Sequence, residues 1–461
     1  MKALLISPPP PPSRRIALGA QDRAMPPLGL GFVASALENA GHEVKIFDNN
    51  LFRIQLEELV GKVGRFSPEV IGIGCTSAVY SEAKKMASVL KEVFQVPIIM
   101  GGPHPTLRPY ETLSGTKADI VVQGEGEHSI VELIKCLEKN GNLNEVQGIC
   151  YKKNAGITCN PPRALIRNMD DIPPPAWHLL PMEKYPRKDH LVDIYPLDAV
   201  NTSRGCPFHC RFCSNQAVWG RTYRSFSPER IVSDMSFLID NYKTRGVYFR
   251  EDNFTVNRKR VLNLCRLMRE ERMDLSWICE ARVDLVDYEL LTAMKKAGCE
   301  RVWFGVESAC NRVLALIDKG ITISQSMEAF KLCKQVGIHT GASLMIGIPG
   351  ETIEEMKRTL ELRAKLVDAF DATVWINIYV GYPTSPLYEQ IIRKGWYKNM
   401  DEGGICEVAT PYFDRKRLEK ILRQSNMRQR LRALKRGDLT ELFAEFVSLA
   451  STACARISDF F

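Results

Sequence analysis

No stretch of this 461-residue sequence approaches the ~20 consecutive apolar residues that a membrane-spanning helix requires. The apolar start Ala3-Leu4-Leu5-Ile6 is only a strand's length and is followed, not preceded, by Arg14 and Arg15, so it lacks the plan of a secretory leader. Low-complexity sequence is confined to the run Pro8–Pro12, and the only internal repetition is an alternation of strand and helix patterns. These absences predict a cytoplasmic protein. Its fourteen cysteines are then expected as thiols, metal ligands or core residues, not disulfides. A general nucleic-acid surface is also missing. The net charge of +8 is concentrated between Arg415 and Arg436, where ten Lys or Arg residues face one acid, Glu419, and the rest of the chain is close to neutral.

What is present is an ordinary globular mixture, 45% apolar and 25% charged, long enough for two to three domains. Over residues 1–155, β-branched runs at 3–7, 43–48, 70–74, 97–101 and 120–123 alternate with helical patterns such as 31–40 and 81–94. That spacing predicts βαβ units and a doubly wound, Rossmann-like parallel sheet. Residues 156–195 are rich in proline (Pro161, Pro162, Pro173, Pro174, Pro175, Pro181, Pro186) and read as an extended connector. From residue 196 to about 400 a second alternation of six strands (199–203, 246–250, 275–279, 301–306, 341–346, 373–379) predicts a partial (β/α)6 barrel. Chemistry in barrels sits on the loops at the strands' C-terminal ends. Residues 401–461 read as a helical, basic segment.

Eleven cysteines are isolated, Cys150 and Cys159 among them, and read as small buried hydrophobes. The other three form one cluster, Cys206-Pro-Phe-His-Cys210-Arg-Phe-Cys213, directly after the first barrel strand. Thiolates at this spacing can converge on one iron–sulfur cluster. Three ligands on a [4Fe–4S] cluster leave one iron open to chelate a small molecule. Zinc is a weaker fit, because a closed site wants four ligands and the near candidate, His209, lies inside the loop. No second C-x-x-C pair follows, which argues against auxiliary clusters.

The CxxxCxxC loop after a first barrel strand resembles the radical S-adenosylmethionine (radical SAM) superfamily. The resemblance implies that S-adenosylmethionine binds the open iron and is reductively cleaved to a 5′-deoxyadenosyl radical. It also implies a role at the cofactor for Phe212, before the last cysteine, and for polar residues at later strand ends. These are Glu251 and Asp252 after the second strand, Glu280 and Arg282 after the third, and Glu307 and Ser308 after the fourth. Carboxylates there can bond ribose hydroxyls or the ammonium, and an arginine can pair with the carboxylate. The plain alternative is that they are polar strand caps. The glycines of Ile346-Gly347-Ile348-Pro349-Gly350-Glu351 would let backbone approach the adenine.

In the first domain, Thr76 and Ser77 follow one strand, Gly101 and Gly102 the next, and Gly124 and Glu125 the one after. Small residues at consecutive strand ends open a crevice for a large ligand. None of these loops is a G-x-G-x-x-G loop, which disfavours NAD. Together with Met25-Pro-Pro-Leu-Gly-Leu-Gly31, these loops resemble the cobalamin-binding subfamily of radical SAM enzymes, and the resemblance makes cobalamin the expected ligand. Where that subfamily's relatives can carry D-x-H-x-x-G, this chain has Asp48-Asn49-Asn50-Leu51-Phe52-Arg53, so Asn50 stands in the place of a histidine lower ligand. A domain that binds nothing and only docks substrate is the alternative.

The function so implied is C-methylation of an unactivated carbon through a 5′-deoxyadenosyl radical and methylcobalamin. A cyclase, oxidase or rearranging enzyme of the same family, or a non-catalytic sensor, are the other readings. The expected partners are a small-molecule or lipid substrate and an electron donor such as flavodoxin or ferredoxin. The basic amphipathic pattern of residues 415–436, with Leu418, Ile421, Leu422, Leu431 and Leu434 at helical spacing, fits either a helix packed on the barrel or peripheral contact with an anionic membrane.

Overall fold

In the first strand, β1 (Lys2–Ser7), Leu4 and Ile6 pack into one apolar cluster and Ala3 and Leu5 into another, so the strand is covered on both faces. The computed structural model describes residues 1–11, 25–154, 156–188 and 193–435. Among these, β1 is joined by β2 (Glu43–Asp48), β3 (Val70–Gly74), β4 (Ile98–Gly101), β5 (Ile120–Val122), β6 (Ile149–Lys153) and β7 (Gly156–Cys159) in one sheet of order β2-β1-β3-β4-β5-β6-β7. The first five strands run parallel. The order reverses direction between β1 and β3, which opens a crevice at their C-terminal ends.

The sheet does not stop at residue 155. β6 and β7 form an antiparallel hairpin that extends it, and Cys150 lies directly opposite Cys159 across that hairpin. The two sulfurs are bonded. The expectation of free thiols fails here, because cross-strand pairing brings together residues that look isolated in sequence.

The second sheet has the order β15-β14-β13-β12-β11-β8, all parallel: β8 (Leu197–Val200), β11 (Gly246–Phe249), β12 (Ser276–Ala281), β13 (Cys299–Glu307), β14 (His339–Ile346) and β15 (Thr373–Ile378). Successive strands are neighbours and the two ends do not pair, as in a partial barrel. Between β8 and β11 the chain makes a small antiparallel ladder of β9 (Ser203–Arg204) with β10 (Arg224–Ser225), which brackets the cysteine loop.

The proline-rich segment is more than a connector. It turns three times, at Met169–Asp171, Trp177–Leu179 and Met182–Lys184, and buries Ile166, Ile172, Trp177, Leu180 and Tyr185 in the barrel's core. Prolines fix its turns, and the apolar residues between them cement the first domain to the second.

The chain after residue 400 is not wholly helical either. β18 (Cys406–Val408) sits between β16 (Val380–Gly381) and β17 (Tyr397–Met400) in an antiparallel sheet. The basic helix Arg415–Lys435 follows. Leu418 is fully buried, and Ile421 and Leu422 pack against the barrel core, whereas Met427 and Leu431 are exposed. The Leu434 side chain lies outside the described residues. Gly347 makes room for this helix, since a Cβ there would collide with Leu418. No helix among the described residues is long and apolar enough to cross a membrane.

Candidate functional site

The C-terminal ends of the two sheets face one another across a cavity of about 930 Å³. One wall comes from the first domain: Ser7, Asn50, Gly74, Thr76, Gly101, Gly102 and Gly124. The other comes from the barrel: Asn201, Trp219, Arg250, Asp252 and Glu280. The strand-end motifs of the two halves therefore meet in a single space.

The first wall is built of backbone. Gly102 has φ +102, and a Cβ there would lie 2.8 Å from the Cys75 carbonyl oxygen, so no other residue fits without movement. Gly124 has open space where a Cβ would stand. Asn50 reaches this wall, and no histidine lines it. His104 is buried beneath it, with Nδ1 3.0 Å from the Ser77 hydroxyl and its ring against Tyr80, and burial lowers it to about 4. Ser77 is thus turned toward His104 and away from the cavity.

Glu125, expected at a cofactor, belongs to an ion network instead. Its carboxylate receives Arg204 at 2.8 Å, Arg224 at 2.8 Å and the Ile166 N–H at 2.7 Å. Arg204 also reaches Glu127, and its guanidinium lies 5.4 Å from the ring centre of Phe32 and 5.6 Å from that of Trp219. Glu125 and Glu127 are buried, and Arg204 and Arg224 nearly so. The network joins Gly124-Glu-Gly-Glu127 to Ser203-Arg-Gly-Cys206, tying the first domain's loop to the strand that starts the cysteine loop. Nothing in the sequence of either motif marks the other as its partner. The available signal was that arginines flanking a buried loop need acids.

Burial raises the thiols of Cys206, Cys210 and Cys213, the last to about 11, and the three oppose one another's ionisation. They would stand as thiolates only with positive charge among them, which bound iron supplies. Among the described residues no three His, Cys, Asp or Glu side chains converge on a single metal ion. Three thiolates from one short loop are the donor type that iron–sulfur clusters use.

Around this loop the strand-end residues divide. Asp252 opens onto the cavity, its carboxyl raised by burial against the pull of Asn215 and the Gly205 backbone. Glu280 lies beside it, raised by burial and accepting from the Tyr248 hydroxyl. Glu251 is different: it is buried among Thr202, Ser203 and Arg260, so it braces the ends of β8 and β11. Ser308 bonds Thr359 at 3.2 Å and accepts the Cys310 N–H, as a strand cap would.

Glu307, at φ +68, holds Lys319 at 2.8 Å; this pair is buried, and the lysine lies 5.6 Å from the ring centre of Phe212. Burial works against the Lys319 charge, but Glu307 and Cys210 hold it above the ordinary lysine range. Lys319 was not among the residues expected from sequence. Arg282 gives its fork to Asp284 and not to open space.

Comparison with known proteins agrees with this arrangement. Residues 200–363 match the Radical SAM superfamily, and residues 15–134 match the B12 binding domain. The chain is 35% identical over 434 residues to an uncharacterised methyltransferase of Pyrococcus horikoshii, covering 92% of this chain and 91% of that protein. It is 28% identical over 383 residues to the anaerobic magnesium-protoporphyrin IX monomethyl ester cyclase of Rubrivivax gelatinosus, covering 79% of this chain and 66% of the cyclase. Its fold is that of the radical S-adenosylmethionine methyltransferase TsrM from Kitasatospora setae, with a TM-score of 0.70 at 19% identity, over 85% of this chain and 78% of TsrM. The chain belongs to the cobalamin-binding radical SAM family.

Proposed function

We propose that the protein is a cobalamin-dependent radical SAM enzyme that transfers a methyl group to an unactivated carbon of a small molecule or lipid. The cavity onto which both the glycine cradle and the residues flanking the cysteine loop, Ser203, Arg204 and Trp219, open carries this reading. When bound, the cluster and cobalamin supply a reductively generated radical and a methyl carrier. Cys206, Cys210 and Cys213 would hold the cluster. Thr76, Gly101, Gly102 and Gly124 would receive the corrinoid on backbone and small side chains, with Asn50 in place of an imidazole donor. Asp252 and Glu280 face the cavity and can accept from an ammonium or from ribose hydroxyls, and Phe212 offers an aromatic face below the loop. Glu307, neutralised by Lys319, shapes that floor.

The test uses anaerobically reconstituted protein with dithionite and S-adenosylmethionine carrying a deuterated methyl group. Formation of 5′-deoxyadenosine together with label on the corrinoid is expected. 5′-Deoxyadenosine without label would move the assignment to the second reading, ring closure or oxidation, which the likeness to the cyclase favours. A reduced flavodoxin or ferredoxin should replace dithionite, in keeping with a cytoplasmic location. Among the described side chains of residues 415–436, Met427 and Leu431 are what peripheral membrane contact has beyond charge, because Leu418, Ile421 and Leu422 face the barrel. Sedimentation with anionic liposomes that leaves the protein in the supernatant would remove it.

A further inference from the structure

Arg282, just past the end of β12, has each of its three nitrogens directed at an acceptor. Nε and Nη2 hold the two Asp284 oxygens at 3.0 and 3.1 Å, and Nη2 also reaches the Lys319 carbonyl oxygen at 2.7 Å. The guanidinium lies 3.7 Å from the centre of the Phe208 ring, inside the cysteine loop. Its remaining arm, Nη1, points at the Cys210 sulfur from 3.9 Å, the outer reach of an N–H···S contact. A substrate carboxylate pairs best with an open guanidinium fork, and this fork is already closed by Asp284.

We propose that Arg282 is a positioning residue for the cluster loop, which aims an N–H at Cys210 and raises the reduction potential of the cluster, and that it does not bind the methionyl carboxylate. The inference rests on the reading of Cys206, Cys210 and Cys213 as cluster ligands. Reduction adds negative charge that spreads onto the thiolate sulfurs. A donor fixed toward one of them stabilises the reduced form more than the oxidised form. Three anchors keep that donor in place: the Phe208 face, the Asp284 carboxylate and the Lys319 carbonyl. Because Asp284 neutralises the arginine, the effect comes from a directed N–H and not from net charge.

The decisive variant is Arg282→Met with Asp284→Asn, which removes the donor and leaves the net charge unchanged. In reconstituted full-length protein without S-adenosylmethionine, an EPR-monitored redox titration should show a lower midpoint potential. A tenfold shift of the one-electron equilibrium corresponds to 59 mV. Iron and sulfide content should match the parent. An unchanged potential overturns the proposal, and if S-adenosylmethionine binding is at the same time weakened tenfold or more, the carboxylate role is restored. Should the double variant fail to take up iron, Arg282→Lys decides by the same titration, since it keeps the charge beside Asp284 and removes the planar arm that reaches Cys210; a lowered potential is expected and an unchanged one overturns the proposal. Parent protein that binds no cluster would instead refute the ligand assignment, a separate outcome visible before any titration.

Discussion

The two sheets present their C-terminal edges to the same cavity, yet they do so with opposite chemistry. The first domain offers Gly74, Gly101, Gly102 and Gly124, and the acids of its rim, Glu125 and Glu127, are spent on Arg204 and Arg224. The barrel offers Arg250, Asp252 and Glu280 to that cavity, and off it the paired Arg282–Asp284 and Glu307–Lys319. A bulky ligand that carries its own reactive centre needs shape and backbone contact. A charged ligand at an open iron needs fixed dipoles and carboxylates that do not have to reorganise. One topological rule, ligands at the ends of parallel strands, thus serves two kinds of recognition within a single space.

The sharpest way to break this division is Cys210→Ala. It should abolish the cluster's visible absorption and all formation of 5′-deoxyadenosine, while the corrinoid spectrum of the reconstituted protein persists. Loss of both cofactors together would mean the two rims are one site and not two. The next largest effect is expected at the bridge between them. Arg204→Met leaves Glu127 buried without its cation and should cost about 3–5 kcal/mol, read as a lower urea midpoint at constant slope. Adding Glu127→Gln should recover part of that loss, because the stranded charge is removed; no recovery would place the cost in packing against Phe32 and Trp219 instead.

Within the first rim, Gly102 and Gly124 separate collision from occupancy. Gly102→Ala puts a Cβ against the Cys75 carbonyl at positive φ and should cost about 1–3 kcal/mol before any ligand is added. Gly124→Ala meets no atom within 4 Å and carries only the backbone strain of φ +69, about 1 kcal/mol, so it should lose less stability than Gly102→Ala and show its main effect on corrinoid retention after gel filtration. Equal stability loss in both would contradict a cradle with open space at Gly124.

The parallel strands of both sheets were legible because each is a local run of β-branched residues bounded by turn residues, and β2 and β3 lie where the pattern alone puts them. The cysteine loop was legible for the same reason: its chemistry is written in eight consecutive residues. What failed was non-local. Glu125 and Arg204 are 79 residues apart, and neither carries a mark of its partner. Ser77 and Ser308 resemble ligand-facing hydroxyls in sequence, but backbone direction at the strand ends aims them at His104 and Thr359. β16 and β18 span two and three residues, too short for any periodicity to register. The Cys150–Cys159 pair required knowing the hairpin register.

The barrel rim also contains a charge-capable group that its own fold keeps neutral, and this contrasts with the paired acids around it. Glu351 ends the loop after β14 and turns back, its Oε2 accepting the Gly347 N–H at 2.8 Å and the Ile348 N–H at 3.1 Å, while Oε1 is buried without a partner. Burial pushes its carboxyl up to about 8, against the pull of those two N–H groups. Between the ordinary glutamate range and that value the unfolded chain has lost the proton and the folded chain keeps it, so stability falls as pH rises. The contribution is fully present below about pH 4.5 and lost through about pH 8. Glu351→Gln keeps an oxygen for both N–H groups and cannot ionise. It should therefore remove a decline of about 1–2 kcal/mol between slightly acidic and slightly alkaline pH, at one pKa unit per ~1.4 kcal/mol discounted for local rearrangement. Urea midpoints of parent and variant across that range are the measurement. Parallel profiles would show that Glu351 ionises freely and that the loop after β14 opens to water.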